Sequence, residues 1–290
     1  MNSSETRSPN NVTLSTRGLR EIGTRPRLPD YLSQLWDRRH FIVADSRARA
    51  QTSNRQMLLG SVWLVLKPLL DGLAFYLIFA LLLKTDRGVE NFVGFLLIGV
   101  FMFQFTQRCL TTGASSVTSN RGLIRSFTFP RASLPIAGVL RELFSTGPVL
   151  LTMAVLIVAI PPHAVITWRW MLFPAVLALQ TTFNLGLALF AARIVFRIPD
   201  LNHAISFMTR FWIYGSGVFF SLDHFVTHPG LLQVMQLNPL FVILDMTRDL
   251  LLYGVSPTAG SWLVLTLWAT ALPLAGLLFF WRGEESYGRG

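Results

Sequence analysis

Six long apolar stretches divide the chain, and polar or basic segments separate them. The last stretch has no charged residue from Trp262 to Trp281, which is long enough for a helix to cross a hydrocarbon core of about 30 Å. The apolar residues run continuously and do not alternate as the strands of a membrane barrel would. The pattern predicts transmembrane helices at 63–83, 92–112, 134–160, 170–192, 204–222 and 261–281.

Two segments need a separate interpretation. Residues 223–257 contain two shorter apolar pieces that an Asn-Pro pair separates, and neither piece is long enough to span comfortably. We predict an external re-entrant hairpin there, which neighbouring helices would shield from lipid. The stretch at 134–160 carries the adjacent charges Arg141 and Glu142. We expect these two side chains to point to different sides of the helix and not to pair.

The N-terminal region is more polar. Residues 1–30 lack the apolar core of a cleaved signal peptide, and we predict a flexible cytoplasmic tail. Within 31–62, apolar residues such as Leu35 and Ile42 recur at near-helical spacing with arginines between them. A basic amphipathic helix of this kind is suited to the headgroup region of a membrane. An ordinary cytosolic helix that caps the membrane domain is the alternative.

The composition excludes most other classes of protein. Hydrophobic residues make up 52% of the 290 residues and charged residues 14%, against about 25% charged in an ordinary soluble domain. Mean hydropathy is +0.48, and a water-soluble enzyme of this composition would have too little polar surface. The single cysteine, Cys109, excludes an internal disulfide.

The net charge of +10 is unevenly distributed along the chain. With the N-terminus inside, seventeen Lys and Arg residues fall on cytoplasmic segments, and four fall on external ones: Lys84, Arg87, Arg169 and Arg248. The positive-inside rule therefore predicts an even number of spans and two cytoplasmic termini. We attribute the basic charge to this orientation and expect no nucleic-acid partner.

Few residues suggest catalysis. Neither lysine of the chain follows the glycine spacing of a phosphate-binding P-loop, so we expect no ATP site here. Asp245 and Asp249 share a helical face, as a membrane glycosyltransferase or phosphotransferase requires, but a charge-balanced re-entrant helix containing Arg248 explains them equally well. His224 and His228 have a metal-compatible spacing without an evident third ligand, so we predict no metal site.

Three pairs of short motifs carry a family resemblance: LGSVW at 59–63 with PL at 68–69, SNRGLI at 119–124 with FPR at 129–131, and YGSGVF at 214–219 with LNPL at 237–240. Their order and spacing resemble those of the membrane subunit of ABC-2 type polysaccharide exporters, the family that secretes O-antigen and teichoic acid chains. The arginine-rich, lysine-poor composition, with 23 Arg and 2 Lys, is similar to that of its actinobacterial branch, which exports the galactan of the cell wall.

The resemblance implies an all-α polytopic protein of the bacterial cytoplasmic membrane with the ABC-2 exporter fold. Six helices would occupy 63–281, and 282–290 would be a short cytoplasmic tail. It also implies a homodimer docked on two copies of a separate ATP-binding subunit, which would hold ATP and Mg, with no cofactor on this chain. The dimer would form a channel for a lipid-linked polysaccharide. The alternatives are an ABC-2 permease for a drug or small lipid, a membrane glycosyl- or phosphotransferase, and an ion-coupled flippase.

The resemblance also suggests roles for three sets of residues. A cytoplasmic loop with apolar side chains among arginines would couple the chain to the ATPase: Asn120, Arg121, Leu123, Ile124, Phe127, Phe129, Pro130 and Arg131. The interfacial helix would contact lipid or the pyrophosphate of the substrate: Trp36, Arg38, Arg39, Arg47, Arg49 and Arg55. Aromatic and charged residues of the first and fifth spans would lie near the translocation path, with Asp71 and Arg210 as a possible pair: Asp71, Phe75, Tyr76, Arg210, Phe211, Trp212, Tyr214 and Phe219.

Overall fold

The computed structural model describes residues 26–52, 91–219 and 237–288, and six single positions between 63 and 77. Within these ranges the chain is helical and forms no strand. The helices are α1 Leu28–Asp37, α2 Arg39–Thr52, α3 Phe92–Ser115, α4 Arg121–Ser126, α5 Ser133–Ala159, α6 Phe173–Arg197, α7 Leu201–Gly215, α8 Pro239–Arg248 and α9 Ala259–Trp281. Single 3-10 or π turns occupy Thr118–Asn120, Trp168–Leu172, Asp249–Tyr253 and Ser286–Gly288.

Four of the described helices are long and apolar enough to cross a membrane. They are α3, α5, α9 and the continuous segment Trp168–Arg197, which contains α6. These helices coincide with the second, third, fourth and sixth predicted spans. The core between them is filled by fully buried side chains such as Phe101, Met102, Met153 and Phe183.

Helix α6 packs closely against α3 and α9 at glycine residues. A Cβ atom added at Gly113 of α3 would lie 2.4 Å from the Cβ of Ala188, so the two helix backbones are nearly in contact. A Cβ atom at Gly186 would meet the backbone of α9 at Leu272 and Pro273, 2.7 Å away. Small residues at these crossings let helices approach closely, as they do in membrane bundles.

The connections separate into two ends of the bundle. At the basal end, Tyr31 donates a hydrogen bond to Glu284, and the ring of Phe196 contacts Tyr287, so the start of α1, the end of α6 and the segment after α9 lie together. At the distal end, Asn91 donates to the carbonyl of Pro162, and Arg169 donates to the carbonyl of Gly254. The described parts of both chain ends therefore share the basal end.

The two remaining predicted spans are those at 63–83 and 204–222. The first, at 63–83, lies outside the continuously described residues. The fifth, predicted at 204–222, is a helix of 15 residues that ends at Gly215. The chain then turns at Gly217, whose φ of 66° is the left-handed conformation that favours glycine.

Helix α8 starts near the middle of the bundle's length. The indole of Trp268 donates to the carbonyl of Leu237 at 3.1 Å, just before α8 begins. Trp268 lies nine residues beyond the distal start of α9, or about 14 Å along that helix. The π turn that follows α8 brings Leu252 against Gly94 at the distal end. Helix α8 thus runs outward from the middle of the bundle, while the preceding residues 220–236 are outside the described part.

The described N-terminal residues form two helices. Helix α1 begins at Leu28, three residues before the predicted boundary, with Pro29 in its first turn. Proline is favoured there because its fixed φ suits a helix and its missing N–H would be unpaired anyway. The predicted single helix at 31–62 is two helices over its described part, with an interruption at Arg38 (φ −90°, ψ 1°).

Candidate functional site

The predicted coupling loop forms a short helical excursion at the basal end. The 3-10 turn Thr118–Asn120 leads into α4, and the chain is extended again at Phe127. The side-chain amide of Asn120 donates to the carbonyl of Ser116 at 2.7 Å, which ties this turn to the end of α3. Local hydrogen bonds therefore keep the excursion helical.

Helix α4, which we predict to be the coupling helix, has an outward face and an inward face. Leu123 is 39% exposed and Phe127 is 64% exposed, and Arg121 is exposed beside them. Ile124 is 5% exposed and packs inside the chain, which corrects the expectation that it projects toward a partner. Its inward position follows from helical geometry, because only one face of so short a helix can point away from the bundle.

The residues after α4 also point inward. Phe129 is partly buried against the cluster that contains Ile124, and Pro130 is buried. The backbone N–H of Arg131 donates to the Glu284 carboxylate at 3.0 Å, and the Arg131 guanidinium donates to the carbonyl of Glu284. Arg131 is thus hydrogen-bonded within the chain, whereas we expected it to lie among the residues that contact the ATPase.

Helices α1 and α2 lie across this loop. Arg38 donates to the carbonyl of Thr128 at 3.4 Å, and Ser46 donates to the carbonyl of Ala137 on α5 at 3.0 Å. Trp36 is 66% exposed, with the Arg39 guanidinium 4.5 Å from its ring centre. The Arg47 guanidinium lies 5.8 Å from the ring of Phe144. Arg55 lies outside the described residues.

A cavity of about 640 Å³ lies between α2, the coupling segment and the first turns of α5. It brings two of the predicted sets together, because Arg38 and Arg49 line it opposite Asn120 and Leu123. Its other walls combine hydroxyl groups with apolar side chains: Thr112, Ser115, Ser116, Ser119, Thr128, Ser133, Phe41, Ile42, Phe127, Phe129 and Leu134.

The cavity has an excess of positive charge. Its charged lining consists of Arg38, Arg49, Arg141 and Asp45. Arg49 is paired with Asp45 at 2.8 Å, while Arg141 and the nearby Arg108 share the single carboxylate of Glu142 and Arg38 has no acidic partner among these groups, which leaves an excess of two positive charges. A cavity with surplus guanidinium groups, hydroxyl donors and an apolar wall suits an anionic headgroup attached to an apolar chain.

Arg141 and Glu142 do pair, contrary to the sequence-based expectation. The Arg141 guanidinium is 3.3 Å from the Glu142 carboxylate because its long side chain folds back along the helix. Glu142 also has an ion pair with Arg108 at 3.7 Å and accepts a hydrogen bond from Thr112 at 3.0 Å. Arg108 lies in the second predicted span and was missed as a charge within an apolar helix; its position in the sequence was sufficient to identify it.

The described residues that we predict for the translocation path do not all face the same way. Phe211 and Tyr214 are each 59% exposed on α7, and Arg210 is exposed beside them. Trp212 turns inward, with its ring 6.3 Å from that of Phe103, and Phe219 is half-buried with its ring 5.3 Å from Tyr214. Asp71, Phe75 and Tyr76 lie outside the described residues, and so does the proposed pairing of Asp71 with Arg210.

A family model described as ABC-2 type transporter matches residues 43–252. The chain belongs to the ABC-2 type transporter family. The O-antigen export system permease protein RfbA of Myxococcus xanthus is 24% identical over 254 residues, which cover 88% of this chain and 96% of that protein. A permease of the same name from Klebsiella pneumoniae is 24% identical over 203 residues, 69% of this chain and 75% of that protein.

Membership of the ABC-2 family makes the chain a transporter subunit and implies a membrane and an ABC ATPase as its context. The matched range begins in α2 and ends in the π turn after α8, so it includes the coupling helix and most of the cavity wall. Tyr31 and Glu284 lie outside it.

The acidic pair that favours a membrane transferase lies within the range matched by the ABC-2 family. Asp245 and Asp249 are half-buried around the start of the π turn. No group of three or more His, Cys, Asp or Glu side chains with metal-binding geometry occurs in the described ranges. His224 and His228 lie outside those ranges.

Arg248 is the main structural residue whose contacts sequence reasoning missed in this ABC-2 protein. The sequence analysis treats it only as an external charge, whereas in the structure it is 3% exposed and holds the turn after α7 against α3. Its guanidinium donates to the carbonyls of Phe95, Gly217 and Val218 at 3.0 to 3.4 Å and lies 3.3 Å from the ring centre of Phe95. Its position in an otherwise apolar helix was the only available signal.

Proposed function

We propose that this chain is the membrane-spanning permease subunit of an ATP-driven exporter that moves a lipid-linked polysaccharide across the bacterial inner membrane. The observation that carries the proposal is the similarity to proteins named O-antigen export system permeases, which extends over 88% of this chain and 96% of the Myxococcus protein. The positively charged cavity beside the coupling helix supports it, since a lipid-linked glycan is an anionic headgroup on an apolar chain.

The proposed assembly is a homodimer on two copies of an ATP-binding subunit, which bind ATP and Mg, while this chain holds no cofactor. The basal end faces the cytoplasm in this proposal, as the basic charge of its connections favours. Six spans result if 63–83 and the segment around α7 both cross the membrane. The start of α8 in the middle of the bundle supports a re-entrant hairpin before the last span.

Within this class of substrate, we propose a cell-wall galactan as the polymer. Its support is the composition of 23 Arg and 2 Lys, which is similar to that of the actinobacterial branch of the family.

The experiment is co-purification of the chain with its ATP-binding subunit, followed by reconstitution in vesicles with lipid-linked glycan. We expect ATP-dependent movement of the glycan to the opposite leaflet, detected by its accessibility to a glycosidase. An ATPase complex that moves a short lipid or drug but no polymer would contradict the substrate class. A chain that purifies alone would contradict the exporter, and loss of a transfer reaction in Asp245→Asn would indicate an enzyme instead.

The cavity gives a prediction about substrate affinity. In Arg38→Gln and Arg141→Gln, we expect the KM for the lipid-linked glycan to rise about tenfold, because each change removes a charge-assisted hydrogen bond to the headgroup. Glu142 remains paired with Arg108 in Arg141→Gln, so no isolated carboxylate is created. The measurement is glycan transport by the reconstituted complex at varied substrate concentration.

Arg47→Gln is the matched control for this prediction, since Arg47 is a nearby basic residue on α2 that does not line the cavity. A KM that rises equally in Arg47→Gln would show a general effect of basic charge at the membrane surface and would contradict a headgroup site.

A further inference from the structure

The segment after the last long helix joins three parts of the basal end through one carboxylate. Glu284 is 6% exposed, and both of its carboxylate oxygens are hydrogen-bonded. One accepts from the Tyr31 hydroxyl at 2.9 Å, and the other accepts from the backbone N–H of Arg131 at 3.0 Å. The Tyr31 oxygen in turn accepts from the backbone N–H of Ala132 at 2.9 Å. We name the contacts of Tyr31, Arg131, Ala132 and Glu284 the basal clamp.

The protonation states of the basal clamp follow from its burial. Burial and the neighbouring Glu284 carboxyl raise the pKa of Tyr31, so its hydroxyl keeps the proton that it donates. Burial also raises the pKa of Glu284, while the hydrogen bonds from Arg131 and Tyr31 oppose that rise. These donors satisfy the carboxylate where water has little access.

The coupling helix is seated on the same segment. Its inward residue Ile124 belongs to one buried cluster with Tyr31 and Tyr287. The Tyr287 ring lies 4.7 Å from that of Phe280 in α9 and 4.9 Å from that of Phe196 in α6, and its hydroxyl donates to the carbonyl of Phe280. Close packing of this kind transmits displacement instead of absorbing it.

The described contacts therefore place residues 282–288 between the coupling helix and the rest of the bundle. A displacement of the exposed face of α4 would reach α9 through the buried cluster that contains Ile124 and Tyr287, and it would reach α1 through Arg131 and Glu284. At the sequence level this segment is only a short tail. In the structure it is the shared support of α1, α4 and α9.

We propose that residues 282–288 are the transmission element of this transporter, and that Glu284 is a positioning residue which makes α1 and the loop at 130–132 move as one body with the coupling helix. This inference rests on the proposed function for its partner, the ATP-binding subunit. It assigns to the C-terminal segment a role that the range matched by the family model, which ends at residue 252, does not cover.

The test uses the assembled complex in vesicles with Glu284→Gln, Tyr31→Phe and the double variant, and with Glu285→Gln as the matched control. Glu285 is the exposed neighbour, and its replacement changes the net charge equally. In Glu284→Gln and Tyr31→Phe, we expect ATP hydrolysis to stay within about twofold of the wild type. Glycan moved per ATP should fall at least about fivefold. The double variant should be no worse than the worse single variant, because both changes break the same connection.

The proposal is overturned if Glu284→Gln moves wild-type amounts of glycan per ATP, or if Glu285→Gln loses as much. It is also overturned if hydrolysis and transport fall in parallel with the amount of assembled complex, since that result shows a role in folding alone. A wild-type complex that hydrolyses ATP but moves no glycan contradicts the proposed function instead.

A second measurement does not depend on the substrate. The backbone amides of Arg131 and Ala132 donate to Glu284 and Tyr31, so their hydrogen exchange reports directly on the basal clamp. We expect both amides to stay protected in the nucleotide-free and the vanadate-trapped complex, and to exchange faster in Glu284→Gln. Loss of protection on trapping in the wild type would show that the segments separate, which contradicts movement as one body.

Discussion

Replacement of both Leu123 and Phe127 with aspartate is expected to abolish binding of the ATP-binding subunit while the bundle stays folded. These are the outward apolar side chains of the coupling segment, 39% and 64% exposed. Apolar anchors at the centre of an interface cost about 2 kcal/mol or more each when removed, and buried carboxylates add to that cost. The Kd of the complex should therefore rise by more than about 100-fold.

The measurement is co-purification, with a titration of the ATP-binding subunit against the detergent-solubilised chain. Val165→Asp is the matched control, because Val165 is 72% exposed at the distal end and undergoes the same kind of change. Ile124→Ala provides a contrast: it should lower thermal stability, since Ile124 is buried in the chain's own cluster. Wild-type affinity in the double aspartate variant would refute the assignment of this face to the ATPase.

Replacement of Arg248 with leucine is expected to cause the largest loss of stability among single changes. Its guanidinium makes four hydrogen bonds to three backbone carbonyls, and the change removes the donor from each bond. A buried polar group without its partner costs about 1–3 kcal/mol. Relief of the buried charge offsets part of the sum, so we expect a net loss of about 3 kcal/mol.

A loss of that size corresponds to a fall of about 5–10 °C in the thermal midpoint of the purified chain. The thermal midpoint of Arg248→Lys should lie between those of Arg248→Leu and the wild type, because one ammonium group cannot reach all three carbonyls that the planar guanidinium contacts. Arg169→Leu is the control: Arg169 also donates to a backbone carbonyl, that of Gly254, but water can replace it at the distal surface. Equal falls in the thermal midpoint of Arg169→Leu and Arg248→Leu would contradict the argument that burial makes the Arg248 hydrogen bonds irreplaceable by water.

The effect of Arg248 should extend to transport, because it holds the turn at Gly217 that orients the end of α7. Tyr214 and Phe219, which sequence reasoning assigned to the translocation path, lie on either side of that turn, and their rings are 5.3 Å apart. The test is glycan transport by Arg248→Lys. A loss of transport that is larger than the fall in its thermal midpoint explains would show that the turn matters for the path as well as for the fold.

Sequence reasoning identified four of the long helices within a few residues, because each depends on a continuous local run of apolar side chains. Its errors concern the conformation and burial of individual side chains. Arg141 and Glu142 were expected to diverge, but a flexible arginine next to a partly buried carboxylate folds back to pair with it. Ile124 and Leu123 are adjacent and equally apolar, and the sequence of α4 does not show which of them faces inward.

The apolar runs determined by themselves that this is a helical membrane protein, the uneven basic charge predicted its orientation, and the order of its motifs resembled the ABC-2 family. These properties depend on neighbouring residues or on simple sums over the chain. Only the tertiary structure decided which face of α4 is outward, where the cavity lies and what holds Arg248. Tyr31 and Glu284 show the reason: the two are 253 residues apart, and their hydrogen bond exists only because packing of the long helices brings both chain ends to the basal end.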